Sequence, residues 1–325
     1  MILQDNFARK FTYLRLSVTD VCNFKCSYCL PDGYEKPSSV CDPLNLNEIK
    51  TIARAFANLG TKKIRITGGE PSVRKDLTDI IRICSETKGI ETVALTTNGY
   101  KLDKYIEQWI DAGLTNLNVS IDSLDPKMFK QICGQNRLTE IFAGLDKAAK
   151  LGLNKIKVNV VLMKQYNQNE FNQYLEWIKD KPISLRFIEL MQTGDNKQFF
   201  MDNHISGETL KQQLLDSGWT RVISESHAGP AQEFSHTDSL GKVGLIMPYS
   251  KDFCATCNRL RVSSQGKLHL CLFGEEGLPI RQWCQQEESE ALEQKIVEYL
   301  KLKKVSHFLQ DGNSGSTRHL AMIGG

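Results

Sequence analysis

No apolar run in this chain approaches the roughly 20 residues that a membrane-spanning helix needs, so no membrane role is expected. The opening Met1-Ile2-Leu3-Gln4-Asp5-Asn6 has no apolar secretory core, and a cytoplasmic protein is expected. A net charge of +3 is too small to argue for nucleic acid. No GxxxxGK[ST] loop is present, so a conventional P-loop nucleotide site is not expected. None of the six histidines is spaced with another as a ligand pair, and there is no internal repeat or low-complexity segment. The length of 325 residues fits one large α/β barrel or two domains.

Cysteine is not scarce. The chain has ten, six of them in two tight groups. In a reducing compartment such grouping favours metal ligation or catalysis over disulfides. Cys22, Cys26 and Cys29 form a C-x3-C-x2-C triplet directly after the apolar run Leu14–Val18. A 4Fe–4S cluster has four irons and usually takes four cysteines, so a triplet leaves one iron open to a small molecule. Cys41, Cys84, Cys133 and Cys284 are scattered and read as ordinary thiols.

Strand-like and helix-like stretches alternate through the first two-thirds. The expected strands are Leu14–Thr19, Lys63–Thr67, Thr92–Thr97, Asn116–Asp122, Ile156–Leu162 and Ser184–Leu190. Helical patterns at Leu46–Leu59, Leu77–Lys88, Asp103–Ala112, Glu140–Leu151 and Asn169–Lys179 lie between them, which implies a parallel sheet. Nearly every strand has one polar face and one apolar face. Arg15, Ser17 and Thr19 oppose Leu14, Leu16 and Val18; Arg65 and Thr67 oppose Ile64 and Ile66. Asn118, Ser120 and Asp122, and Lys157 and Asn159, repeat the pattern. A closed barrel packs its interior with branched apolar residues, and a doubly wound sheet is apolar on both faces. An α/β fold of partial-barrel type fits better, with helices outside and a wet, charged cavity inside. The polar residues crowd the C-terminal strand ends, where barrel active sites lie, and the triplet falls on that rim.

Beyond Gly218 the regular alternation stops. A C-terminal α+β unit is expected, giving domains 1–218 and 219–325. It would hold strands at Trp219–Ser224, Val243–Met247 and Leu260–Ser263, a hairpin turn at Ser264-Gln265-Gly266 and a helix over Glu287–Lys303. The Gly- and Ser-rich tail Asp311–Gly325 reads as mobile by default.

Cys254, Cys257 and Cys271 form a second triplet, C-x2-C-x13-C. By spacing alone zinc competes here, with Cys284, His269 or a distant group as its fourth ligand. Beside the first triplet, a second iron–sulfur cluster is the favoured reading. Arg259 and Arg261 follow on one face of a strand and suit an anion, since guanidinium forks match phosphate and carboxylate. Gly68-Gly69-Glu70-Pro71 closes the second strand, where glycines let backbone approach a ligand and Glu70 offers an acceptor for an ammonium group. Arg15, Arg65 and Lys157 face the polar interior. Buried cations need either a multiply charged anion, a triphosphate being one candidate, or pairing with Asp122, Glu189 or Glu70. Arg186 breaks the alternation, because Ile188 and Leu190 share its face.

The first triplet and the GGEP segment resemble the radical S-adenosylmethionine (SAM) enzymes. Further stretches are similar to the GTP 3′,8-cyclase family, which opens molybdenum cofactor biosynthesis. These are Leu14–Asn23, Arg65–Pro71, Thr96-Thr97-Asn98-Gly99, Arg186–Met191, Cys254–Arg261 and the terminal Gly324-Gly325. Ser72-Val73 departs slightly from the family pattern after Pro71. The resemblance implies a partial (β/α)6 TIM-type barrel closed by the C-terminal unit, two 4Fe-4S clusters and S-adenosyl-L-methionine. Cys22, Cys26 and Cys29 would hold the radical-generating cluster, with Tyr28, Gly69, Ser120 and Met191 at SAM. Cys254, Cys257 and Cys271 would hold the second cluster, its open iron on the guanine of GTP. Arg15, Arg65, Thr96, Lys157 and the strip Arg259-Leu260-Arg261 would contact GTP, with Arg259 and Arg261 also catalytic. The tail would reach the active site. The implied partners are a flavodoxin- or ferredoxin-type electron donor, a second copy of the chain, and cyclic pyranopterin monophosphate synthase downstream.

Three functions follow. The first is cyclisation of GTP by a lyase. The second is a radical SAM enzyme acting on a peptide, whose auxiliary cluster would be fully ligated. The third is a non-catalytic metal-binding or redox-sensing module, disfavoured because polar strand faces need a ligand.

Overall fold

The computed structural model describes residues 2–36, 42–222, 229–251, 253–285, 289–312 and 314–324. The barrel portion runs β1 (Tyr13–Ser17), α1 (Leu46–Asn58), β2 (Lys63–Thr67), α2 (Leu77–Glu86), β3 (Thr92–Thr97), α3 (Leu102–Asp111) and β4 (Asn116–Ser120). It continues through α4 (Pro126–Cys133), α5 (Leu138–Lys150), β5 (Ile156–Leu162), α6 (Phe171–Ile178) and β6 (Ile183–Glu189). All six expected strands are present, with ends moved by a residue or two. Helix α4 is short but fully signposted: Asp125 caps its N-terminus, Pro126 opens it and Gly134 closes it in the left-handed conformation.

The remainder runs α7 (Lys197–Asn203), α8 (Gly207–Asp216), β7 (Thr220–Val222), β8 (Gln232–Ser235), β9 (Lys242–Ile246) and β10 (Arg259–Val262). It ends with β11 (Lys267–His269), β12 (Leu278–Pro279), α9 (Arg281–Cys284) and α10 (Glu290–Leu300). The expected Trp219–Ser224 strand survives as β7, with its last two residues outside the described ones. The expected Glu287–Lys303 helix is α10, trimmed at both ends; residues 286–288 are not described.

Among the described residues the twelve strands form one sheet, in the order β12-β11-β10-β1-β2-β3-β4-β5-β6-β9-β8-β7. Strands β1 to β6 pair in parallel and in sequence. The C-terminal third then extends both edges: β10 adds in parallel to β1, and β9 adds in parallel to β6. The second thiol triplet is thereby carried to the open side of the partial barrel.

Sequence alternation explains the layering. Leu14, Leu16, Ile64, Ile66, Leu117, Val119, Val158 and Val160 are buried on the helix-facing side. Burial of each such side chain stabilises by roughly 1.5–3 kcal/mol. The opposite face keeps its polar residues in register: Arg261, Arg15 and Arg65 lie side by side, as do Thr96, Asn118 and Lys157. Outside, Arg281 of α9 forms a fork with Glu48, the capping-box carboxylate of α1. That ion pair ties the C-terminal third to the barrel wall.

The tail departs from its expected mobility. Thr317, Ala321 and Ile323 are buried, and the chain up to Gly324 packs into the barrel mouth. A Cβ on Gly324 would lie 2.1 Å from Thr67 Cγ2 of β2, and its φ is +66°. Glycine is therefore what lets the tail enter. Gly325 lies outside the described residues.

Candidate active site

The loop after β1 brings Cys22, Cys26 and Cys29 to the rim of a cavity also lined by Tyr28, Gly69, Thr96, Ser120 and Met191. All four residues expected at SAM are thus beside the first triplet. Gly69 is needed there for space, since a Cβ would meet Val21 O at 2.4 Å and Asp20 O at 2.6 Å. Glu70 already has partners of its own. Its carboxylate accepts from Ser72 N at 2.9 Å, Thr97 Oγ1 at 2.7 Å and Asn98 N at 2.6 Å. It braces two strand-end loops and also lines the cavity beside the first triplet. Tyr28 donates to Asp122 Oδ2 at 2.9 Å, and burial pushes the Asp122 carboxyl up to about 6.

Burial also pushes the Cys22 thiol up to about 11 and Cys29 to about 12, with Glu70 adding to Cys22 and Cys22 to Cys29. Thiols held this firmly are inert until a cation displaces their protons. Among the described residues no three His, Cys, Asp or Glu side chains stand close enough to chelate a single ion. Each triplet instead rings a cavity, and three thiols around shared space suit a cluster's donor set.

The second cavity joins the first through Asn159, Ile188 and Met191, which line both. Its far wall carries Cys254, Cys257 and Cys271. Between the triplets it presents Arg15, Lys63, Arg65, Lys157, Arg186, Arg259 and Arg261. The carboxylates that might have paired with Arg15, Arg65 and Lys157 are engaged elsewhere: Asp122 and Glu70 as above, and Glu189 with His204 at 3.1 Å. Among the described residues Glu233 is the acidic group in this cavity, 3.4 Å from Arg186. Arg186, the exception in the sequence pattern, therefore belongs to the cationic wall. Arg65 Nη1 donates to Thr96 Oγ1 at 3.2 Å, linking the two cavities. Leu260 is different. It buries in the apolar core on the other face of β10, so only its backbone can reach a ligand.

Crowded cations perturb one another. Burial first, then Arg186 and Lys63, lowers Lys157 to about 7. Burial lowers Lys63 to about 8, with Arg65 contributing. Burial would raise the Tyr13 hydroxyl, yet Arg65, Arg15, Lys63 and Arg259 outweigh it and bring it down to about 7. A cavity that suppresses its own positive charge this way is short of an anion.

Arg261 donates to two tail carbonyls, Ile323 O at 3.3 Å and Gly324 O at 2.6 Å, while Leu320 and Ala321 line the first cavity. Of the candidate fourth ligands for the second triplet, His269 lines an adjoining cavity on its outer side with all three cysteines. Cys284 is buried, bonds Ile280 O and lines neither cavity beside that triplet. Cys84 and Cys133 are buried free thiols, and Cys41 lies outside the described residues. Sequence reasoning passed over Tyr13 and Lys63, although both share the period-two face of Arg15 and Arg65. It also passed over Arg9 and Lys303, for which no local pattern exists.

Comparison with known proteins agrees with this geometry. Residues 16–178 match the Radical SAM superfamily model, and residues 183–309 match Molybdenum Cofactor Synthesis C. A protein of Vibrio parahaemolyticus named GTP 3′,8-cyclase is 57% identical, over 99% of this chain and 97% of its own length. Proteins of the same name from Psychromonas ingrahamii and Tolumonas auensis are also 57% identical, over 99% and 100% of this chain and 95% and 97% of their own lengths. In fold, Streptococcus suis SuiB bound to S-adenosylmethionine is similar, with a TM-score of 0.61 and 13% identity over 87% of this chain and 68% of that one. No helix among the described residues is long and apolar enough to cross a membrane. The chain belongs to the GTP 3′,8-cyclase family of the radical SAM superfamily.

Proposed function

We propose that this chain cyclises GTP to (8S)-3′,8-cyclo-7,8-dihydroguanosine 5′-triphosphate, the first step of molybdenum cofactor synthesis. The observation that carries the reading is a cation-lined chamber bounded at its two ends by thiol triplets and continuous through Asn159, Ile188 and Met191. Cys22, Cys26 and Cys29 would hold one 4Fe-4S cluster, and Cys254, Cys257 and Cys271 would hold the other. The first triplet would hold a cluster supplying one-electron chemistry for SAM cleavage and removal of the ribose H3′; once C3′ bonds C8 of guanine, a second electron from the flavodoxin- or ferredoxin-type donor and a proton to N7 would complete the dihydro product.

The protein's own task is placement. Gly69, Ser120, Met191 and Tyr28 seat SAM against the first triplet. Arg15, Arg65 and Lys157, with Lys63 and Arg186 beside them, receive the triphosphate. Thr96, fixed by Arg65, stands where the two cavities meet and holds the nucleotide in register with SAM. Arg259 and Arg261 bind at the second triplet, where the guanine lies. Arg261 also anchors the tail, which closes the chamber against water and stray hydrogen donors. In this reading residues 1–218 form the SAM barrel and 219–325 the auxiliary-cluster unit. The enzyme works in the cytoplasm as a homodimer, takes electrons from a flavodoxin- or ferredoxin-type protein, and passes its product to cyclic pyranopterin monophosphate synthase.

The location of Cys284 supports a second cluster without a fourth cysteine, which favours GTP over the peptide-modifying alternative. The test uses anaerobically reconstituted protein with dithionite and SAM. Addition of GTP should raise 5′-deoxyadenosine formation and yield a product retaining all three phosphates. Equal 5′-deoxyadenosine with and without GTP would refute the assignment.

A further inference from the structure

The outer side of the second triplet carries a pair of buried cations that no part of the proposed reaction uses. Cys254, Cys257 and Cys271 line not only the barrel chamber but also the adjoining outer cavity, together with Arg9 and Lys303. Both cations are more than nine-tenths buried, Arg9 at 8% exposure and Lys303 at 6%.

Arg9 is fully committed. Its Nε donates to Asp5 at 2.7 Å, and its other nitrogens donate to Cys254 O at 3.1 Å, Val305 O at 2.8 Å and Lys304 O at 2.7 Å. Its charge is balanced by Asp5, and its geometry pins the Cys254 loop to the segment after α10. Lys303 is not balanced. Its ammonium donates to Leu270 O, the carbonyl next to Cys271, and lies 5.3 Å over the Phe11 ring. Among the described residues no carboxylate pairs with it. A carbonyl and a ring face offset only part of the cost of burying an ammonium group. The negative charge missing from its surroundings is available from the three cysteines once they are thiolates. The first triplet has the opposite setting: buried Glu70 and Asp122 share its cavity.

We propose that Lys303 is a positioning residue whose fixed charge compensates the cluster held by Cys254, Cys257 and Cys271 and raises its reduction potential above that of the first cluster. This rests on the reading that the second triplet holds a cluster. A fixed cation favours the reduced, more negative state of a nearby cluster, and buried carboxylates disfavour it.

The test compares wild-type protein, Lys303→Gln and Lys303→Arg, each reconstituted anaerobically. Iron and sulfide are counted per chain, and each cluster is titrated by EPR at controlled potential. In the wild type the second cluster should titrate at the more positive potential. Lys303→Gln keeps a donor for Leu270 O but removes the charge, so the second midpoint should move negative while the first stays put. Lys303→Arg should return most of the shift. Loss of the second cluster in Lys303→Gln alone, with Lys303→Arg retaining it near the wild-type potential, also supports the proposal. An unchanged second midpoint in Lys303→Gln overturns it, as does loss of the second cluster in both variants. A wild-type chain holding iron for one cluster only would overturn the two-cluster reading itself.

Discussion

GTP binding should take up protons, and its affinity should fall as pH rises above 7. Lys157 sits at about 7 and Lys63 at about 8, chiefly because burial penalises their charge. Tyr13 is held at about 7 by four surrounding cations, so it is largely phenolate at pH 8. A triphosphate reverses these effects. Its negative charge favours the ammonium forms of both lysines and the neutral form of the phenol, so all three groups gain a proton on binding. A group whose pKa is higher in the complex binds ligand best below its free value and loses that advantage as pH rises through it.

The size follows from linkage. For one group free at 7 and bound above 9.5, the dissociation constant should weaken roughly eightfold between pH 7.5 and 8.5. A group free at 8 gives roughly threefold over the same interval. This window clears the terminal phosphate, whose own ionisation lies near 6. Isothermal titration calorimetry of GTP with the holoenzyme, in buffers of different ionisation enthalpy, counts the protons directly. Near pH 8 between one and three should be taken up per GTP. Lys157→Arg, always charged, and Tyr13→Phe, which cannot ionise, should each reduce the uptake and flatten the pH profile. A proton count of zero, or a constant independent of pH from 7.5 to 8.5, would refute the account of the chamber as an anion site.

Three further outcomes follow from specific contacts. Cys26→Ser should lose one cluster's iron and sulfide and all SAM cleavage, while the second cluster's EPR signal persists. Gly324→Ala places a methyl 2.1 Å from Thr67 Cγ2 at a positive φ; the tail should be expelled, with cyclisation down at least tenfold by product assay, and thermal stability almost unchanged. Glu70→Gln weakens three bonds to a buried carboxylate, each worth about 1.5–3 kcal/mol; a melting temperature lowered by several degrees should accompany weaker SAM retention, and an unaltered melting curve would contradict the bracing role.

Much of this site could be read from the chain because its chemistry is local. The triplets are contiguous motifs, and the polar face of the barrel is written in the period-two alternation of β1 to β5. Arg186 resisted that reading because Ile188 and Leu190 follow it on the same face; only the addition of β9 beside β6 and of β8 beside β9 brings Glu233 to it, two strands along the sheet with Gly244 between them. The tail misled for another reason. Glycine and serine there suggested mobility, but composition does not reveal that Gly324 is small so that backbone can pass Thr67 and reach Arg261. Arg9 and Lys303 were beyond sequence reasoning altogether. They lie at opposite ends of the chain and meet the second triplet only because β10 joins β1 and α10 packs against α1. The first thiol triplet is thus encoded in one short segment, while the electrostatic setting of the second is assembled from both termini. Truncation at either terminus should therefore disturb the second triplet first.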